Sequence, residues 1–217
     1  MKAPLHTISC RQHTVGRRGA GLGLAVLMAL AVLAYAYSSA DAAPVAVRFP
    51  EGVTHGFLLV RSLAGEIIGQ GKMTQVVKEG DLVESQLVFR FKDGSLHDEK
   101  VAFSQQRVFT LISYRLVQRG PSFPDQLDIS VDRGTGEYTV RSHAGEEGKE
   151  EVLTGQVDLP KDVYNGMLIT VLKNLQKDAD ETVSVLAFTP APQVIKVQLH
   201  ALDEHPVQIG EASSKAT

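Results

Sequence analysis

Histidine is the side chain best suited to bind a transition metal or to act as a general base near neutral pH. Two of the five histidines beyond residue 42 have carboxylates beside them, in the segments 97–99 (HDE) and 203–205 (DEH). Adjacent side chains in a strand point to opposite faces, so these neighbours cannot share one metal ion without a bend. No HExxH motif is present, and the sequence therefore predicts no metal site. The five histidines are His55, His97, His143, His200 and His205.

One residue, Ser122, is a weak candidate for a catalytic nucleophile. It lies between Pro121 and Phe123 in a stiff loop. The chain has no G-x-S-x-G motif, and its single cysteine is Cys10 near the N-terminus. Phosphate chemistry lacks a P-loop and a G-x-G-x-x-G turn after a strand. We therefore predict no catalytic residue and no cofactor. A hydrolase that combines Ser122 with His97 or His143 stays an alternative.

Composition restricts the class of protein further. The 217 residues are 43% hydrophobic and 22% charged, which is typical of a globular chain. The formal net charge of −3 argues against a nucleic-acid partner. Aromatic residues make up only 6% of the chain and tryptophan is absent, which argues against a carbohydrate enzyme.

The first 42 residues have the order of a secretory signal. A basic start precedes the apolar run 20–37 (AGLGLAVLMALAVLAYAY), and small residues at Ala40 and Ala42 suit a cleavage site. We predict cleavage after Ala42, export to the periplasm or beyond, and no membrane span afterwards. The alternative is an uncleaved anchor, because 18 apolar residues are near the lower limit for crossing a bilayer. Cleavage would remove four Lys/Arg and one Asp and so shift the formal net charge from −3 to −6.

The remaining residues, 43–217, are predicted to form one β-rich domain. Short apolar runs with period-two alternation are separated by turn residues such as Asp93-Gly94, a strong hairpin pattern. This pattern predicts a strongly curved antiparallel sheet or an open β-barrel. The predicted strands are 45–49, 56–61, 67–77, 82–91, 96–103, 108–117, 127–131, 137–141, 150–157, 182–188, 194–202 and 206–209.

One segment, 163–175, is predicted to be an amphipathic helix packed on the sheet. Val163, Met167, Val171 and Leu175 are spaced by four residues. An adjoining row contains Tyr164, Leu168 and Leu172. Asp162 is the predicted N-cap.

Five segments resemble a family of uncharacterised exported bacterial proteins, over most of residues 55–217. In that family the chain continues with more strands, so the resemblance implies that the domain is incomplete at its C-terminus. At the level of fold alone, a curved sheet with a covering helix also resembles lipoprotein carriers, which hold acyl chains between sheet and helix. The segments are 89–95 (FRFKDGS), 103–105 (FSQ), 117–124 (VQRGPSFP), 158–160 (DLP) and 165–167 (NGM).

The missing enzyme motifs favour a non-enzymatic binding module for an apolar or lipid-like ligand. The site is predicted between helix and sheet, where inward-facing residues such as Phe57 and Leu59 would add apolar surface. The alternative function is a cell-envelope protein that pairs with a partner through an exposed terminal strand. The predicted ligand-binding residues are Tyr164, Met167, Leu168, Val171, Phe89 and Phe91.

Overall fold

The computed structural model describes residues 43–144, 149–176, 180–200, 205–209 and 212–216. The predicted signal, residues 1–42, lies outside the described residues. Within the described ranges, no helix is long and apolar enough to cross a membrane.

Eight consecutive strands form one antiparallel sheet, in which each strand pairs with the next along the chain. β1 and β8 are its two edges, so the sheet is open and not closed into a barrel. This confirms the prediction of a mainly β fold, although the predicted strand 45–49 is reduced to one bridge between Ala46 and Val108. The strands are β1 (Thr54–Arg61), β2 (Ile67–Lys78), β3 (Leu82–Phe91), β4 (Leu96–Ser104), β5 (Thr110–Arg119), β6 (Asp125–Asp132), β7 (Glu137–Ala144) and β8 (Glu150–Gln156).

The alternation along the strands divides the sheet into two faces. In β3, Val83 and Phe89 share one face, and Gln86 points to the other. The strand register extends each face across the sheet. The covered face contains the buried residues Val83, Val101, Phe103, Leu111, Tyr114, Ile129, Val131 and Val140. The open face contains the aligned row Thr74, Gln86, Lys100, Arg115, Ser130 and Thr139.

The predicted hairpin at Asp93-Gly94 forms, but with a different turn. A two-residue Asp-Gly turn needs positive φ at both residues, whereas of Asp93 and Gly94 only Gly94 has it, at 88°. Phe91 N donates to Ser95 O at 2.9 Å, and Gly94 N donates to Phe91 O at 3.1 Å. The connection is therefore a three-residue loop with glycine in the left-handed position.

Two further hairpins follow the main sheet. β9 (Glu181–Phe188) and β10 (Pro192–Leu199) pair with each other, and Val183 and Leu186 of β9 belong to the same buried core as the covered face. β11 (His205–Ile209) and β12 (Ala212–Ala216) form a second pair. β11 was predicted as a strand and β12 was not, because ASSKA has little of the apolar character that marks a strand.

The predicted helix is much shorter than its apolar pattern. Only α1 (Leu168–Leu172) is helical, and Gly166 has a φ of 70°, which ends any helix begun before it. A Cβ at Gly166 would lie 3.1 Å from the Cβ of Val101, so the chain also passes close to the sheet there. The spacing by four still predicts burial well, since Val163, Met167 and Val171 are all in the core.

Asp162 does not cap a helix, contrary to the prediction. Its carboxylate is buried and accepts hydrogen bonds from Ser184 Oγ at 2.7 Å and Lys196 Nζ at 3.1 Å. Ser184 N also donates to the Asp162 carbonyl at 2.9 Å. The side chain of Asn165 pairs in both directions with the backbone of Leu186. These bonds attach residues 162–165 to β9 around one isolated parallel bridge between Val163 and Ser184.

Residues 45–51, which we call the strap, lie across the core and are held by side chains from distant elements. Tyr164 Oη accepts from Val45 N at 2.8 Å. The buried Asn174 Oδ1 accepts from Arg48 N at 2.8 Å and Phe49 N at 2.7 Å. Its amide nitrogen donates to carbonyls of Thr170 and of the strap. The strap thus satisfies its backbone through side chains, without a full β ladder.

Candidate functional site

The predicted ligand residues near α1 lie in a packed core. Tyr164, Met167 and Val171 are almost completely buried, and Leu168 is half-buried. The Tyr164 hydroxyl holds the strap, and burial raises the pKa of this phenol. These side chains join the strap and α1 to the sheet.

Phe89 and Phe91, the other two predicted residues, lie elsewhere on the covered face. Both are half-buried and belong to an aromatic group outside the main core. The Phe91 ring meets Phe123 edge-on at 5.9 Å, and the Phe89 ring lies 6.1 Å from the His97 ring. The structure therefore separates the six predicted residues into two groups.

Gly71 explains the position of the Phe89 ring. A Cβ on Gly71 would lie 2.5 Å from an edge carbon of that ring, so the ring needs the glycine opposite it on β2. The sequence Gly69-Gln70-Gly71 is typical of a bulge or a close approach. Here Gly71 is a close approach, and the register with β1 shifts beside Gly69.

A groove of about 710 Å³ lies on the open face, and we call it the central groove. Val76 of β2 and Thr139 of β7 both line it, although four strands separate them. In a flat sheet these strands would be about 24 Å apart, so the sheet must curl toward its open face. Its polar lining includes Glu84, Lys100, Ser113, Arg115, Ser130 and Thr139.

A second groove of about 600 Å³ continues the first toward β1, and we call it the edge groove. The two grooves adjoin each other, since Thr74 and Gln86 line both. Of the six predicted ligand residues, Phe91 alone lines either groove. The lining of the edge groove includes Phe57, Ile67, Val88, Lys72, Arg90 and Lys92.

The charges differ between the two grooves. Three cations and no carboxylate line the edge groove, and Lys72, Arg90 and Lys92 make no ion pair within the described part of the chain. The central groove contains both signs. The edge groove is therefore the more attractive place for an anion.

Two cations also face each other in the central groove. Lys100 and Arg115 are direct cross-strand partners, an arrangement that is unfavourable without compensation. Arg115 is compensated by Asp128, whose carboxylate accepts from Nε at 3.2 Å and Nη2 at 3.0 Å. These hydrogen bonds and the charge of Asp128 raise the pKa of Arg115. Lys100 has no such partner among the described residues.

The residues considered for catalysis do not form a nucleophile–base pair. Ser122 Oγ donates to Asp93 Oδ2 at 2.6 Å, and this bond, with others from the turn, lowers the pKa of Asp93. His97 Nδ1 instead bonds Gln118 at 3.1 Å. The loop that carries Ser122 packs closely against the turn that carries Asp93, because a Cβ on Gly120 would lie 2.7 Å from Ser95 Cα. This close packing indicates a structural role for the bond between Ser122 and Asp93. Across the described ranges, no three His, Cys, Asp or Glu side chains could hold a metal ion.

Tyr114 is another group with altered acidity on the covered face. Its hydroxyl donates to Glu99 Oε1 at 2.9 Å. Burial, followed by the charge of Glu99, raises the pKa of Tyr114 far above its ordinary value. A phenol that stays protonated and buried suits a structural role better than acid–base chemistry.

Comparisons with protein-family models, curated proteins and solved structures found no match for this chain.

Sequence reasoning missed the open face because it assigned exposed residues to the interior. Phe57 and Leu59 were predicted to face inward, yet both are exposed on the open side of β1. The sequence did contain a sign of the open face, because Lys72, Thr74, Gln86, Val88 and Arg90 occupy alternate positions of their strands. Only the strand register shows that these residues line one groove.

Proposed function

We propose that the protein is an exported, non-enzymatic binding module for a lipid-like ligand with an apolar body and an anionic group. The observation that carries the proposal is the edge groove, where three cations lie among apolar side chains, with no carboxylate among the described lining residues. A volume of about 600 Å³ is within the range of small-molecule sites, roughly 300–1,000 Å³.

The chemistry of the lining supports an amphipathic ligand. Phe57 and Val88 offer apolar contact, and burying an acyl chain against such surface gains roughly 0.8 kcal/mol per methylene. Lys72, Arg90 and Lys92 would attract a carboxylate or phosphate group. Because these cations pair with no acidic side chain in the part of the chain that the structure describes, a ligand would not have to break ion pairs seen there.

This position replaces the one predicted from the sequence. Tyr164, Met167 and Val171 are buried by protein groups, so a ligand between α1 and the sheet would have to displace them. The open face needs no such rearrangement. The proposal keeps the predicted ligand class and moves the site to the other side of the sheet.

Export is the second part of the proposal and rests on residues 1–42. A basic start, an apolar run and small residues at Ala40 and Ala42 support a cleaved signal. An acidic protein outside the cytoplasm could carry a lipid-like molecule between membranes, with the cationic groove giving local attraction against the overall charge.

Native mass spectrometry of the protein purified from an exporting host tests both parts. We expect a chain that begins at Ala43 and binds a fatty acid or anionic phospholipid. The double variant Lys72→Glu/Arg90→Glu should weaken binding of a fluorescent fatty acid by about tenfold or more, equivalent to about 1.4 kcal/mol.

The matched control is Lys161→Glu/Arg107→Glu, which makes the same charge change at exposed residues outside both grooves. We expect its affinity to stay within about twofold. Equal weakening by the two double variants would show a nonspecific charge effect and contradict the site. Absence of fatty-acid and phospholipid binding would contradict the ligand class.

A further inference from the structure

The edge strand β1 exposes three consecutive apolar side chains. Phe57 is 82% exposed, Leu58 38% and Leu59 55%. Phe57 and Leu59 lie on the open face and Leu58 on the covered face, so the exposed surface extends around the edge. A partner that covered one face would leave the other exposed, whereas an added strand covers both.

The other edge strand of the sheet, β8, carries charged side chains that protect it against pairing with another chain. β8 begins with the exposed Glu150 and Glu151, and Arg141 forms an ion pair with Glu150 at 3.6 Å. Charged side chains on an edge strand disfavour pairing with another chain. Joining β1 to β8 of another copy would place apolar side chains against these charges, so an open-ended array is disfavoured.

We propose that β1 pairs antiparallel with β1 of a second copy of this chain, about a two-fold axis at Leu58. Such an axis, normal to the sheet, keeps the open faces on the same side. It places Phe57 of each copy opposite Leu59 of the other. The ends of the strand then bring His55 opposite Arg61, and no carboxylate is buried.

Comparison with the two nearest alternative axes, which also keep the open faces of both copies on the same side, determines the position of the axis. An axis at Phe57 would put Leu59 opposite His55, and an axis at Leu59 would put Phe57 opposite Arg61. Only the axis at Leu58 pairs all three exposed apolar side chains with apolar partners. A strand that complements itself in this way favours a second copy over an unrelated peptide.

The pairing would also extend the edge groove. Phe57 lines that groove, and Leu59 of the partner copy would lie against it. The inference stands without the proposed ligand, because it rests on the exposed edge alone.

Sedimentation analysis of the purified protein tests the association. We expect a dimer whose dissociation constant rises about tenfold or more in Phe57→Lys/Leu59→Lys and stays within about twofold in Val152→Lys. The control residue is also apolar and is 52% exposed, but lies on β8. Circular dichroism will confirm that each variant is folded. A protein that stays monomeric at about 100 µM, or a dimer unaffected by the double variant, would overturn the proposal.

Disulfide trapping tests the register and does not depend on lipid. In a Cys10→Ser background, Leu58→Cys should form a covalent dimer on mild oxidation, because identical residues face each other across the axis. Leu63→Cys, in the more exposed turn after β1, should not. A covalent dimer from both variants, or from neither, would contradict the register. A monomer that retains a foreign peptide on β1 would replace self-pairing with capture of another strand.

Discussion

Phe103 and Phe57 are the same residue type on opposite faces of one sheet, and they have opposite surroundings. Phe103 is buried against Phe109, whose ring centroid lies 6.1 Å away, whereas Phe57 is mostly exposed beside the edge groove. The covered face is closed by the strap, α1 and β9. Among the described residues, the open face is enclosed only by the curvature of the sheet.

The polar groups of the two faces differ in the same way. On the covered side, Asn174 and Asp162 are buried and bonded to backbone or to a partner side chain. On the open face, Lys72 and Arg90 make no ion pair within the described ranges. We infer that the covered face supplies stability, whereas the open face is available for binding. Three measurements test this division.

The largest expected difference is between Phe103→Ala and Phe57→Ala. Removing the buried ring should lower the free energy of unfolding by about 3–5 kcal/mol, because both burial and packing are lost. Removing the exposed ring should change it by less than about 0.5 kcal/mol. Urea unfolding of both variants measures this difference, at a protein concentration low enough that the chain is monomeric and the proposed β1 pairing does not cover Phe57. Similar losses would show that the open face is also covered in solution.

A smaller difference is expected for the amide side chains. Asn174→Ala leaves the backbone N–H groups of Arg48 and Phe49 without their acceptor, which should cost about 1–3 kcal/mol. Gln86→Ala on the open face removes one bond to Asp98 at 2.8 Å near solvent and should cost less than about 1 kcal/mol. Hydrogen exchange at Arg48 and Phe49 should accelerate in Asn174→Ala alone. Unchanged exchange there would show that the strap is held by other contacts.

The strands could be predicted well because local alternation determines them. The predicted and observed bounds of β3 coincide, and its period-two alternation agrees with the register, which places Leu87 and Gln86 on opposite faces. The helix was predicted too long because apolar residues spaced by four are buried here even where the backbone is not helical. Gly166 and the bonds of Asp162 and Asn165 to β9 overrode that local preference.

The grooves could not be predicted, because they depend on the register of strands distant in sequence and on which face is covered. Both faces of β1 carry apolar residues, so alternation alone could not orient Phe57. Tyr164 and Met167 were correctly identified as inward-facing, but the sequence cannot distinguish a filled core from a hollow one. The strap was missed since its partners, Tyr164 and Asn174, are more than a hundred residues away.

The smallest effect concerns pH and the acidic end of the strap. Burial by itself raises the pKa of Glu51, but hydrogen bonds from Lys173, Gln75 and Thr170 outweigh it and bring the pKa below 4.5. The ionised Glu51 therefore stabilises the folded chain above its unfolded pKa, and this contribution is lost as pH falls through the lowered folded value. Glu51→Gln lacks the charge at every pH.

The stability difference between the wild type and Glu51→Gln should therefore be constant from pH 7 to about pH 5 and shrink below the ordinary value of 4.5. We expect the difference at pH 7 to be a fraction of the loss in Asn174→Ala, since the amide oxygen introduced by Glu51→Gln could still accept from Gln75. Urea unfolding of both proteins between pH 3 and pH 7 measures it. A difference that grows toward low pH would mean that the burial of Glu51 destabilises the fold, in addition to the two buried oxygens without a partner among the described residues of this side, Gln75 Oε1 and Asp162 Oδ1.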